Sequence, residues 1–270
     1  SSAKTIIDVL NEHFKGRNIE FYSGVGYRNL MVVRNRDFSL KTTPPHDIMG
    51  KKVEEFLPKG DGADFIIGIM HEAQEVIKKL NILNANGIWL WGEGKKPKLK
   101  RYTELYGIKG AVIAAVDLIK GIGIYAGLDI IKVPGATGFI DTNYKGKAEY
   151  AVKALETYDY VFVHIEAPDE AGHMGSVEEK IKAVENINNI VLPVFIEAMK
   201  NGNIRILITP DHPTPISLRT HVAEPVPAII AGAGVVSDGN ESYHEELTPS
   251  FEFIDGYKIA DYFIKSEVIQ

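Results

Sequence analysis

Short β-branched runs alternate with stretches of helical periodicity along most of this chain, and that alternation restricts its fold more than any other feature. Apolar residues recur with a period near 3.6 over Ala3–Phe14, Ala63–Leu80, Val116–Ala126, Lys147–Thr157 and Val177–Lys200, which predicts amphipathic helices. Between them, Ile19–Tyr22, Leu30–Val33, Ile88–Trp91, Ala111–Ala114, Ile130–Val133, Tyr160–His164, Ile204–Thr209 and Ala228–Ala231 read as strands. Strands interleaved with helices imply an α/β architecture with a mixed, largely parallel sheet flanked by helices. The turn-rich stretch VPGATGFIDTNYKG (Val133–Gly146) marks the expected crossing between two domains, 1–132 and 133–270.

Composition excludes several functions. A net charge of −6 argues against generic nucleic-acid binding. No apolar run is long enough to span a bilayer, so no membrane partner is expected. The absence of cysteine removes every thiolate nucleophile and ligand, and together with the lack of a signal pattern it fits a cytoplasmic setting. GIGIYAG (Gly121–Gly127) has spaced glycines but lacks the strand-then-helix context of a dinucleotide site, so no nucleotide cofactor is expected.

Oxygen and imidazole chemistry remain. HIEAPDEAGHMG (His164–Gly175) follows a strand and places Asp169 and His173 at i and i+4, which on a helix puts both on one face. A second strand ends in TPDHPTP, where adjacent Asp211 and His212 point to opposite sides of an extended backbone and can serve two ions. His221 lies ten residues beyond Asp211, just before another apolar strand. Active-site groups in open α/β sheets gather outside the carboxyl ends of the strands, where the first two clusters sit. Two Asp and three His so distributed suit two divalent cations of the Mn, Zn, Co or Mg class. Such ions suit phosphoryl transfer, with a hydroxyl or water as the remaining nucleophile.

These residues carry a resemblance. DEAGH with the following SVEEKIKAVENIN, then DHPTP, then HVAEPVPAII, resembles the archaeal-type cofactor-independent phosphoglycerate mutases of the alkaline phosphatase superfamily. GYRNLMVV, TPPHDIMG, WGEGKKPKLKRYTELYG, KGIGIYAGLDI and GATGFIDTNY resemble the same family in the same order. The resemblance implies an alkaline-phosphatase-like domain with a smaller inserted α/β substrate domain. It implies one ion on Asp169, His173 and His221, and a second on Asp211 and His212 that activates a serine-type nucleophile. The implied reaction interconverts 2- and 3-phosphoglycerate through a phosphoserine-type intermediate, without 2,3-bisphosphoglycerate. The alternatives are a metal-dependent phosphomonoester hydrolase and an inactive module that binds metal or phosphoglycerate.

Anion binders come from several places. Arg28, at the start of a strand, is either a surface residue or the counterpart of a substrate-binding arginine. His46 sits on a proline-fixed loop that can aim a side chain. Lys109 precedes an apolar strand, where burial would be costly unless the charge is used. Lys180 is included in the resemblance, although its acidic neighbours also fit an exposed helix face. The family pattern begins with an apolar strand ending in a metal-binding Asp and a nucleophile segment, and neither is found here. SSAKTIIDVLNEHF resembles a stretch well inside that pattern, so about 130 residues, the size of a typical domain, are expected to be lacking. The chain alone is therefore expected to show no mutase turnover and to hold one ion at most, on Asp169, His173 and His221. It is also expected either to be marginally stable or to cover the gap by self-association or by association with the missing segment.

Overall fold

The periodicity of the first residues becomes a helix, α1 (Ser2–His13), which buries Ile6, Ile7 and Leu10 on one side. The computed structural model describes residues 2–24, 28–48, 50–82, 85–240, 242–246 and 253–266, with the side chains of His46 and Asp47 outside that description. The chain divides into two units, Ser1–Pro97 and Lys98–Gln270.

In the first unit α1 is followed by β1 (Ile19–Tyr22) and β2 (Leu30–Val33), an antiparallel pair with Ile19 opposite Val33. The period of two shows directly: Ile19 and Phe21 are buried, whereas Tyr22 is exposed. A second antiparallel pair joins β3 (Ser39–Lys41) to β4 (Lys59–Asp61). The next helix, α2 (Ala63–Lys78), buries Ile66, Ile69, Met70, Ala73 and Ile77, a stripe at three- and four-residue spacing. With Leu10, Phe14 and Phe21 these form one core. Truncating a fully buried member such as Leu10 to Ala would cost about 2–5 kcal/mol, the transfer term plus the cavity. The expected strand Ile88–Trp91 is absent: its residues are irregular. Ile88, Trp89 and Leu90 pack on the core, and the Trp89 indole N–H donates to the Thr43 carbonyl instead of the backbone joining a ladder.

The second unit begins with α3 (Tyr102–Tyr106), β5 (Gly110–Ile113), α4 (Asp117–Tyr125) and β6 (Asp129–Ile130). Then come α5 (Tyr144–Ala154), β7 (Tyr160–Val163), α6 (Ala167–Met174) and α7 (Val177–Asn186). A π-helical turn (Ile187–Val191) leads into α8 (Leu192–Asn201), followed by β8 (Arg205–Ile208), β9 (Ile229–Gly232) and α9 (Ile259–Lys265). β5 lies between β6 and β7 in a parallel sheet, and all four of its residues are buried, as expected of a strand covered on both faces. β8 pairs antiparallel with β9 in a separate sheet. The architecture is thus the mixed α/β one that the alternation implies, with its parallel pairing confined to the three-stranded sheet. Residues 98–132 share a unit with the rest of the chain beyond them, because β5 and β6 lie in one sheet with β7.

The single helix expected over Val177–Lys200 is interrupted by the π turn. Pro193 directly follows the widened turn, and the backbone stays helical on both sides of it. Among the described residues no helix is long and apolar enough to cross a membrane.

Candidate metal centre

The chain turns from β7 into α6 through His164–Glu166, and Pro168 in the first turn pre-sets the helical backbone. Gly175 ends α6 with φ of 70°, a left-handed position that suits glycine. The side chain of Arg219 occupies the space beside it, so that a Cβ there would lie 2.4 Å from Arg219 Nε. Ser176 then caps α7 by accepting from the Glu179 N–H. The eight residues of α6 therefore have fixed ends, and Asp169 and His173 share one face as their spacing predicts.

From the other side comes the β8–β9 connection. Asp211 and His212 follow β8 after Thr209 and Pro210, and a turn closes where the Leu218 and Arg219 N–H groups donate to the Pro215 carbonyl. Val222 N–H donates to the Pro213 carbonyl and returns His221 toward Thr214.

The two sides meet at ligand spacing. Asp169 Oδ2 is 3.3 Å from His173 Nε2, Asp169 Oδ1 is 3.3 Å from His221 Nε2, and the two Nε2 atoms are 3.0 Å apart. Ligand atoms about 2.0–2.1 Å from a tetrahedral ion stand about 3.3–3.4 Å from one another, so these separations fit one cation. Two imidazole lone pairs facing each other beside a carboxylate are poorly arranged unless a proton or a cation lies between them. His173 Nδ1 lies 2.9 Å from the Arg219 carbonyl, which can only accept. The N–H is therefore at Nδ1, and in the neutral ring Nε2 is the unprotonated nitrogen, the one able to ligate. Burial, and next the neighbouring His212 ring, push His221 below the ordinary imidazole range, which favours its neutral form.

His212 stands closer to this set than its expected partnership with Asp211 alone implies. Its ring lies 3.8 Å from that of His221, and ligand atoms of Asp169, His212 and His221 all fall within 4.8 Å of one another. Asp211 Oδ2 is 3.4 Å from His212 Nε2, again near a coordination edge, but the carboxylate is largely exposed.

The expected anion binders are scattered. Lys180, on α7, donates to the Thr214 carbonyl at 2.6 Å. Lys109 is exposed at the amino end of β5, whereas the candidate ligands Asp169, His173, Asp211 and His212 follow the carboxyl ends of β7 and β8. Lys109 is solvated, and no burial of its charge has to be offset. Arg28 belongs to the first unit and is exposed just before β2. His46 falls in a 3-10 turn (Pro45–Ile48) of the same unit, and its side chain lies outside the described residues.

Several neighbours went unread in the sequence. Thr214 is buried and its hydroxyl donates to Asp169 Oδ1 at 2.5 Å. Lys147, on α5, is fully buried and donates to the carbonyls of His164 (3.0 Å) and Thr137 (3.4 Å). Burial brings the Lys147 ammonium down to about 8. His164 Nε2 lies 3.3 Å from Glu166 Oε2, and burial lowers this imidazole as well. Position between Pro213 and Pro215 is the one sequence signal for Thr214, because flanking prolines hold a backbone rigid.

Residues 14–263 match the model of the metalloenzyme superfamily. The chain is 49% identical over 256 residues to the 2,3-bisphosphoglycerate-independent phosphoglycerate mutase 2 of Methanothermobacter thermautotrophicus, a match covering 91% of this chain and 63% of that protein. It is 44% identical over 274 residues to a probable 2,3-bisphosphoglycerate-independent phosphoglycerate mutase of Geobacter sulfurreducens, covering 97% of this chain and 69% of the relative. In fold it is similar to the cofactor-independent phosphoglycerate mutase of Thermoplasma acidophilum, with a TM-score of 0.59 and 22% identity over 97% of this chain and 68% of that one. The chain thus spans about two thirds of the length of these relatives.

Proposed function

Because the chain belongs to the metalloenzyme superfamily and to the family of 2,3-bisphosphoglycerate-independent phosphoglycerate mutases, we propose that it serves the interconversion of 2- and 3-phosphoglycerate in the whole protein. The setting is cytoplasmic glycolysis or gluconeogenesis, with divalent ions and without 2,3-bisphosphoglycerate. The observation that carries this reading is the convergence of Asp169, His173 and His221 at the spacing of ligands around one cation.

In this proposal Asp169, His173 and His221 hold one ion, and Asp211 with His212 contributes to a second, of the Mn, Zn, Co or Mg class. Bound ions supply charge neutralisation at phosphoryl oxygens and a lowered pKa for a coordinated hydroxyl. The chain's own residues orient that chemistry. The Arg219 carbonyl holds the His173 tautomer, and the anionic Asp169 offers one oxygen to each imidazole. Arg28 and His46, in the first unit, are proposed to bind the phosphate or carboxylate of the substrate, and Lys180 stands beside the candidate metal centre through its bond to Thr214. No residue of this chain is assigned the nucleophile's role.

The exposure of Asp211 and His221 supports a second reading, a phosphomonoester hydrolase that admits water to the same centre. Phosphorus NMR of 3-phosphoglycerate with Mn2+ separates the two. The chain is assayed alone and together with the part of a full-length relative outside the matched region. Formation of 2-phosphoglycerate without free phosphate supports the mutase, and release of free phosphate supports the hydrolase. Mn2+ binding with neither product in either mixture would leave a binding module.

A further inference from the structure

We infer that Thr214, held in place by Lys180, is the positioning residue that locks the loop carrying His212 and His221 onto the helix carrying Asp169 and His173. This inference rests on the proposed metal centre and deepens it.

The geometry of a hydroxyl carries the argument. A threonine side chain has one donor and two acceptor lone pairs. The Asp169 carboxylate accepts only, so the Thr214 proton is committed to Asp169 Oδ1. His212 Nδ1 lies 3.4 Å from the same oxygen, which toward that ring can only accept. The other nitrogen, His212 Nε2, lies 3.4 Å from Asp211 Oδ2, so the ring is held between two oxygens, one of them that of Thr214. One buried hydroxyl thus orients a carboxylate from α6 and an imidazole from the loop.

Two further contacts keep the hydroxyl where it is. Lys180 reaches from α7 to the Thr214 carbonyl at 2.6 Å. At the same carbonyl Gly172 of α6 lets the loop approach: a Cβ there would sit 2.6 Å from the Thr214 carbonyl oxygen and 2.9 Å from its Cγ2. Pro213 and Pro215 stiffen the backbone on either side. A residue serving only to fill the core would need neither the aimed hydroxyl nor the ammonium. Lys180 acquires here a role within the protein, distinct from contact with substrate.

Cobalt(II), used alone as the probe, tests this in the full chain through calorimetric titration and its visible absorption band. Thr214→Val keeps the shape and removes the hydroxyl. It is expected to weaken Co2+ binding by about 10–100-fold, the usual effect of losing an outer-shell partner, and to alter the band. Thr214→Ser is expected to restore both. Equal affinity and an unchanged band in Thr214→Val would overturn the inference, as would failure of Thr214→Ser to rescue. Should Thr214→Val not fold by circular dichroism, Lys180→Met decides: weakened binding restored by Lys180→Arg supports the lock, and unchanged binding overturns it. If the unsubstituted chain binds no Co2+, the metal reading itself fails and the inference falls with it.

Discussion

The two sides of the candidate centre reach the same point by different means. On α6, Asp169 and His173 are brought together by one helical turn between a proline-containing start and a glycine end. In the β8–β9 connection, Asp211, His212, Thr214 and His221 have no helix beneath them. They are placed by contacts with residues distant in sequence: Thr214 with Asp169 and Lys180, and the Arg219 carbonyl with His173. The helix side is geometrically complete by itself, whereas the loop side takes its shape from the helix it touches. In the proposed centre, residues on local structure set the geometry and residues on the loop adapt to it.

Removing the shared carboxylate is expected to have the largest effect. Asp169→Ala should reduce Mn2+ or Co2+ affinity by more than the ~10–100-fold typical of an outer-shell loss, as read by calorimetric titration. Retained binding would mean that the helix is not the organising side. Next, His173→Ala should weaken binding more than His212→Ala in the same titration. The reverse order would reverse the comparison, with the loop leading.

A smaller effect is expected where the two sides press together. Gly172→Ala gains about 0.5–1 kcal/mol of helix preference but forces a methyl against the Thr214 backbone. Overpacking costs about 1–3 kcal/mol, so the net change should be destabilising in urea and should also weaken ion binding. The smallest effect concerns Lys147. Its folded-state pKa is lowered to about 8 from 10.5, so the unfolded chain holds the proton more tightly. Stability should rise as pH climbs from about 8 toward 10.5. Lys147→Met should lack that rise, which denaturation at pH 7.5 and at pH 9.5 would reveal.

Much of the molecule could be read from the residues in order, and the pattern of failures has physical causes. β1 and β2 fall where their alternation predicts, and the i, i+4 pair of Asp169 and His173 lies on a helix. SLK and KGD are too short and too polar to announce the β3–β4 pair. The run at Ile88–Trp91 has the composition of a strand but meets its burial requirement by packing on α1 and α2. Thr214 and Lys147 were invisible because their value comes from partners 10 to 45 residues away in sequence, not from local spacing. Lys109 misled because proximity to an apolar strand says nothing about which end of the strand faces the chemistry.

The widened turn at Ile187–Val191 has a bearing on which changes this helix can accept. In a regular α-helix a step of four residues overshoots a full circle by about 40°, so a line drawn through Ala183, Ile187, Val191 and Phe195 would wind off the core. A turn with more residues per revolution winds it back, and all four do pack inward. Side-chain swaps here would leave that phase intact, but loss of a single residue would rotate everything downstream. Phe195 and Lys180 would then no longer face their partners together, so this segment is tuned in length more strictly than in composition.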